Sequence, residues 1–320
     1  MRGRITYKPP KPQTVPRFVL SNAVGSAIKT PMLRRLSRLT WVLLVAGTAT
    51  AAPLPVRDVP YVAGGHERQK LDLLLPAQPK DAPVILWIHG GGWVAGAKEQ
   101  NPLRRLTEQG YVVASMNYRY STQAPFPAQL QDAKSAVRWL RLNGGRYGFD
   151  GSRIAAWGAS AGGMMVELLG TTTGRKDFVT GDNPGASSDV QAVVSFCGPT
   201  DFPALISAAV AAKQDRNQAN PIALVALLLG GPVAEREPEA AAASALTYAG
   251  PTAAPMLIVH GEKDTLVPVD QSRRFQSALA KAGARSTLLV LPDAGHVDVL
   301  RAETVLAGLR FTDQALGVRR

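Results

Sequence analysis

Ser160 stands at the centre of Gly158-Ala159-Ser160-Ala161-Gly162, directly after the apolar stretch Arg153–Trp157 and directly before a helix-like stretch. A strand, a sharp turn and a helix with serine at the apex can present a nucleophile. Glycines on either side permit a turn too tight for side chains and push the hydroxyl into a cleft. Acyl transfer by such a serine needs three further parts: a base, an acid that orients the base, and donors for a developing oxyanion.

Each part has a candidate. His89-Gly90-Gly91-Gly92-Trp93 follows an apolar run upstream of the serine. Its bare backbone can turn N–H groups toward a cleft, so Gly91 and Gly92, with Ala161, are the expected oxyanion donors. Four histidines exist, and His296 follows the last strand-like run near the C-terminus. The chain order serine, acid, histidine selects it as base. His89 belongs to the glycine loop, and His66 and His260 are expected to be structural or surface residues. The acid belongs on the loop before the last strand. Asp264 in Gly261-Glu262-Lys263-Asp264 leads, with Asp201, Glu262 and Asp270 as rivals and Asp298 too close in sequence to His296 to reach behind it. The histidines are scattered, and neither a metal-binding H-E-x-x-H, a cysteine pair nor a dinucleotide fingerprint occurs, so no metal and no cofactor is expected.

Positioning these groups requires strands alternating with helices. Short runs at Lys70–Leu75, Pro83–His89, Tyr111–Asn117, Ile154–Trp157, Val190–Cys197, Pro255–His260 and Thr287–Leu291 read as strands, the first at a sheet edge and the last three buried. Helices are expected at Leu103–Gln109, Pro127–Arg146 (Leu130, Ala133, Val137 and Leu140 on one face), Ala161–Leu169, Val269–Ala282 and Val299–Leu316. This alternation predicts an α/β fold with a mostly parallel sheet covered on both faces. The rhythm breaks between Gly198 and Pro255, where the apolar run Ile222–Leu229 and the Ala-rich stretch Pro238–Leu246 suggest a small cap insertion, about 199–254, over the carboxyl ends of the strands.

The chain has 320 residues, 46% apolar and 19% charged, enough for one large domain at 52–320. Its net charge of +12 does not imply a nucleic-acid partner. Nine basic and no acidic residues lie in 1–51, leaving 27 basic against 24 acidic in the body. Leu33–Arg38 is basic, Leu39–Gly47 is a short apolar run, and Ala49-Thr50-Ala51 is a small-x-small site. Together they read as a signal peptide at about 32–51 cleaved near Ala51, with translation starting at Met32, a periplasmic or secreted product and no stable membrane anchor. N-terminal sequencing of the mature protein tests this; a mature chain beginning upstream of Met32 contradicts it. The single cysteine, Cys197, cannot form an intramolecular disulfide and reads as a buried thiol.

The ordered motifs resemble the α/β-hydrolase superfamily. Within it they resemble serine esterases with an HGGGW oxyanion loop: the hormone-sensitive-lipase-like enzymes and, more closely, the bacterial feruloyl-esterase/acetylxylan-esterase-like (BD-FAE-like) group. The carriers include Leu71-Asp72-Leu73, His89–Trp93, Asn117–Tyr120, Ala124–Ala128, Gly158–Gly163, Gly198–Phe202, His260–Pro268 and Gly295-His296, over roughly Gln69 to Gly317. The resemblance implies Ser160 as nucleophile, His296 as base, Asp264 as acid and Gly91, Gly92 and Ala161 as oxyanion donors. It leaves Arg119 and Asp132 structural, as a possible pair. Trp93 and Phe202 are candidates either to line an acyl or alcohol pocket or for ordinary packing, and Met164-Met165 to alter the pocket floor. The implied activity is that of an exported serine hydrolase acting on short-acyl or carbohydrate-linked carboxylic esters. An arylformamidase-type amide hydrolase fits less well, since those enzymes usually carry an aromatic residue within the glycine run. A non-catalytic binding protein fits least, since all the parts are present.

Overall fold

The computed structural model describes residues 55–211 and 221–319. The expected signal segment and the extension before it lie outside those residues. Among the described residues no helix is long and apolar enough to cross a membrane.

Eight strands form one sheet: β1 (Val56–Pro60), β2 (Lys70–Leu74), β3 (Ala82–Ile88), β4 (Val112–Met116), β5 (Phe149–Ala159), β6 (Ala192–Phe196), β7 (Met256–Gly261) and β8 (Ser286–Leu291). Their order is β1-β2-β4-β3-β5-β6-β7-β8. β2 runs antiparallel to β1 and β4, and the pairings from β4 through β8 are parallel. β3 shows why a continuous apolar run was the right signal for its centre. Every residue of β3 is buried. Val84, Leu86 and Ile88 join one core cluster, while Ile85 and Trp87 join the other. A strand covered on both faces has no polar side to alternate with.

Helix α1 (Ala128–Tyr147) and α2 (Ala161–Thr171) cover the first face through Leu130, Ala133, Val137, Leu140, Val166 and Leu169. Gly148 closes α1 in a left-handed conformation at φ 82°, where a side chain would be strained. Helix α7 (Ala302–Leu316) covers the second face with Leu309 and Leu316, and is tied to β5 by the Trp157 indole N–H donating to Thr312 Oγ1 at 3.0 Å. Between β6 and β7 lie α3 (Phe202–Ala211), α4 (Pro221–Leu229) and α5 (Glu237–Ala243) and no strand among the described residues. Helix α6 (Asp270–Lys281) separates β7 from β8.

Three expectations need correction. The Lys70–Leu75 run is not at the edge, because β1 pairs outside it. β1 is mostly exposed and carries no clean alternation, so its sequence shows no strand period. β8 is only partly buried, as an edge strand is, rather than a core strand. Met164 and Met165 are fully buried within the first core cluster and form no pocket floor. The Arg119–Asp132 pair does exist: Nη2 and Oδ1 lie 2.7 Å apart, and Gln69 Nε2 donates to the same oxygen at 2.7 Å. It fastens the loop after β4 to α1.

Glu167, fully buried on α2, accepts from Ser195 Oγ on β6 at 2.6 Å. Burial pushes its carboxyl up to about 8. The folded protein therefore keeps a proton that the unfolded chain releases in the ordinary carboxylate range. The resulting stability is complete below that range and is lost as pH rises toward 8, by up to about 1.4 kcal/mol per pH unit. Glu167→Gln keeps an acceptor for Ser195 and removes the titration. Thermal melts between about pH 5 and 8 are expected to show a flatter decline for this variant than for the wild type.

Candidate active site

Ser160 joins β5 to α2 at φ 54° and ψ −119°, a conformation that non-glycine residues rarely hold. Two hydrogen bonds fix it there: its N–H donates to the Phe196 carbonyl at 2.8 Å, and its own carbonyl accepts from the Met164 N–H at 3.1 Å. The turn demands glycine next door. A Cβ at Gly162 would sit 2.1 Å from the Ile88 carbonyl oxygen, so the first turn of α2 lies directly on the end of β3.

The loop after β3 brings Gly91 and Gly92 beside the serine. Gly91 has φ 109°, and its carbonyl accepts from the N–H groups of Val94 and Ala95 at 3.1 and 3.0 Å. Among the described residues neither Gly91 nor Gly92 donates its N–H to another backbone group. The N–H of Ala161, first in α2, has no intrahelical acceptor. His89 anchors the loop from behind, with Nδ1 donating to the Gly90 carbonyl at 2.7 Å. Its ring stacks on Tyr118 at 4.5 Å, and the Tyr118 hydroxyl donates to the His89 carbonyl at 3.2 Å. Burial pushes the His89 imidazole down to about 4, which keeps it neutral and removes it as a rival base.

His296 reaches the serine from the loop after β8. Its Nε2 lies 2.9 Å from Ser160 Oγ and its Nδ1 lies 2.7 Å from Asp264 Oδ2. The Asp264 side chain is wholly buried, while that of His296 is 16% exposed. Burial works against the Asp264 charge, but donors more than compensate. His296 Nδ1 donates to Oδ2, His260 Nε2 lies 3.2 Å from the same oxygen, and the Leu266 and Val267 backbone N–H groups donate to Oδ1 at 2.9 and 2.8 Å. The carboxyl is held well below the usual carboxylate range.

The rival acids are occupied elsewhere. Asp201 accepts from Arg274 at 2.8 Å and from the Ala204 N–H at the start of α3. Glu262 pairs with Arg273, Asp270 pairs with Arg274, and Asp298 accepts from the Gly295 N–H. Among the described residues, Cys197, Asp264 and His296 place potential metal-ligating atoms within 4.8 Å of one another. Those residues do not fit a metal. Asp264 and His296 are bonded to each other, and burial pushes the Cys197 thiol up, away from the thiolate a metal takes.

Ser160 and His296 open onto an apolar cavity of about 300 Å³ bounded also by Gly91, Gly92, Trp93, Leu205, Leu224 and Val267. Trp93 stands among its walls. Phe202 does not: it is fully buried, packs behind Trp93 at 5.7 Å between ring centres, and donates its N–H to Ser244 Oγ. Sequence reasoning missed the walls from α3 and α4. Leu224 packs close over Gly92, where a Cβ would meet its Cδ1 at 2.7 Å. It missed His260 as well, which is buried against Asp264. Chemically, a hydroxyl, an imidazole and a carboxylate in line beside free backbone N–H groups can exchange an acyl group through the serine oxygen.

Known proteins agree with this architecture. The BD-FAE family model matches residues 71–279. Esterase LipC of Mycobacterium tuberculosis is 32% identical over 69% of this chain and 54% of its own length. A solved structure, a truncated form of a carbohydrate esterase from gut microbiota, is 28% identical at a TM-score of 0.73, covering 84% of this chain and 98% of that one. A bifunctional GH43-CE protein of Bacteroides eggerthii is 32% identical at a TM-score of 0.73, covering 82% of this chain and 35% of its own. The chain spans about half the length of the curated relatives it matches. A family match running from β2 into α6, on a sheet that superposes closely on solved esterases, shows that this chain belongs to the BD-FAE family of the α/β-hydrolase fold.

Proposed function

We propose that the protein is a serine carboxylic-ester hydrolase. Ser160 attacks the ester carbonyl and His296 takes its proton. Asp264 holds the imidazole in the required tautomer, and the N–H groups of Gly91, Gly92 and Ala161 receive the oxyanion. The alcohol leaves with the proton from His296, and a water activated by the same nitrogen releases the acid. The observation that carries this reading is the unbroken Asp264–His296–Ser160 relay, at 2.7 and 2.9 Å, opening onto the apolar cavity. The esterase names of its relatives support it.

The cavity favours an apolar acyl group. At about 30 Å³ per small heavy-atom group, some 300 Å³ holds on the order of ten such groups. A short acyl chain fits between Trp93, Leu205 and Leu224, with the alcohol, including a sugar, directed outward. The test is a panel of p-nitrophenyl esters of rising chain length beside acetylated xylan oligosaccharides and methyl ferulate. Turnover is expected to be highest at about two to six acyl carbons and to fall beyond. Leu224→Ala, which widens the wall, should move the optimum to longer chains. Ester cleavage no faster than in enzyme-free buffer across the whole panel overturns the reading.

A further inference from the structure

His260 makes a set of contacts that the proposed mechanism does not use. It is the penultimate residue of β7, wholly buried, and both ring nitrogens are engaged. Nε2 lies 2.8 Å from the Val267 carbonyl and 3.2 Å from Asp264 Oδ2, both acceptors, so this nitrogen carries the proton. Nδ1 lies 2.7 Å from Ser272 Oγ on α6, also wholly buried. With Nε2 protonated, Ser272 donates its hydroxyl to Nδ1, and the tautomer is fixed by a partner on a different element.

Asp264 Oδ2 therefore faces two imidazoles: it accepts the N–H of His296 on the reacting side, and on the far side it lies 3.2 Å from His260 Nε2, whose N–H goes to the Val267 carbonyl with Oδ2 as the longer, second acceptor. His260 also ties down the turn that supplies Asp264 with its backbone donors, because Val267 donates to Oδ1 while its carbonyl accepts from His260. The histidine does not border the cavity. The other titratable group close by is Cys197, whose thiol donates to the His296 carbonyl at 3.3 Å; Ser160 faces the opposite nitrogen of His296.

From this geometry, and resting on the role proposed above for Asp264, we infer that His260 is a positioning residue. It orients the Asp264 carboxylate and, by sharing Oδ2, limits how strongly that oxygen attracts the His296 proton. Two consequences separate this role from simple core packing. Loss of the His260 N–H leaves more negative charge on Oδ2, which favours the His296 imidazolium and moves the acid limb of kcat/KM to higher pH. Loss of orientation lowers kcat more than it raises KM, because His260 meets the cavity wall only through the Val267 main chain.

The test uses His260→Leu, His260→Gln and Ser272→Ala in the full chain, assayed with p-nitrophenyl butyrate from about pH 5 to 9, alongside thermal melts. His260→Leu is expected to lose about tenfold in kcat, keep KM within about twofold and shift the acid limb upward by roughly half a pH unit. His260→Gln can still point an N–H toward Oδ2 and should recover most of kcat and the wild-type limb. Ser272→Ala frees the tautomer and should show a smaller loss in the same direction. A folded His260→Leu with the wild-type profile overturns the inference, as does a kcat loss with an unmoved acid limb that glutamine does not rescue. If His260→Leu does not fold, an unchanged profile in Ser272→Ala overturns it. Ser160→Ala assayed in parallel keeps the two readings apart: a fully active Ser160→Ala sinks the proposed function, whereas an inactive Ser160→Ala beside unchanged His260 variants sinks only the role of His260.

Discussion

Ser160→Ala is expected to lower kcat for p-nitrophenyl butyrate by roughly a millionfold and to leave KM within a few-fold. The size follows from how the parts depend on one another. Without the hydroxyl, His296 has no nucleophile to deprotonate, and Asp264 orients a ring with no task, so one deletion costs about as much as removing all three. What survives is the contribution of Gly91, Gly92 and Ala161 to a slow attack by water. The variant should fold normally. Ser160 is held in its strained turn by main-chain bonds to Phe196 and Met164, none of which involves Oγ. Steady-state kinetics together with a thermal melt check both halves. Retention of more than about a hundredth of the wild-type rate in a folded variant contradicts the assignment of the nucleophile.

The relay was legible because its members sit at the ends of elements whose sequence periods are strong. Ser160, Asp264 and His296 each follow a strand-like run, and the three glycines at 90–92 follow β3. A strand buried on both faces announces itself through consecutive Val, Ile and Leu, and a residue just past it is placed by the sheet. Elsewhere the determining contacts are non-local. β1 is mostly exposed and held by pairing with β2 rather than by a pattern of its own. α3 reads Phe202-Pro203 followed by an almost wholly apolar run, with no polar face to reveal a helical period. His260 looked unremarkable because its partners, Ser272 and Asp264, are brought round by the turn between β7 and α6. Leu224 reaches Gly92 from a different part of the chain, a meeting that no local signal encodes. For Phe202 the sequence leaves pocket lining and ordinary packing both open, because family position does not say which way a ring points. Here it points under Trp93 rather than into the cavity.

Asp264→Asn is expected to cost about ten-thousandfold in kcat near neutral pH, more than loss of the charge by itself suggests. The reason lies in the donors around the carboxylate. Oδ1 accepts two backbone N–H groups, from Leu266 and Val267, and an amide NH₂ accepts neither. The asparagine carbonyl must therefore occupy the Oδ1 position, which puts the NH₂ where Oδ2 stood, facing His296 Nδ1 and the His260 N–H. His296 can meet that donor only by leaving Nδ1 unprotonated, so its proton moves to Nε2, opposite Ser160. In that tautomer the ring donates to the serine hydroxyl and has no lone pair to take its proton. The imidazolium that forms during attack also loses its counter-charge. The same substitution at Asp201, bonded to Arg274 and the start of α3, should change kcat by less than about threefold, since it touches neither Ser160 nor His296. Measuring kcat for both variants decides between the two carboxylates. A ten-thousandfold loss at Asp201 with Asp264→Asn near wild type would move the acid to the loop after β6 and leave the 2.7 Å contact with His296 without a catalytic purpose.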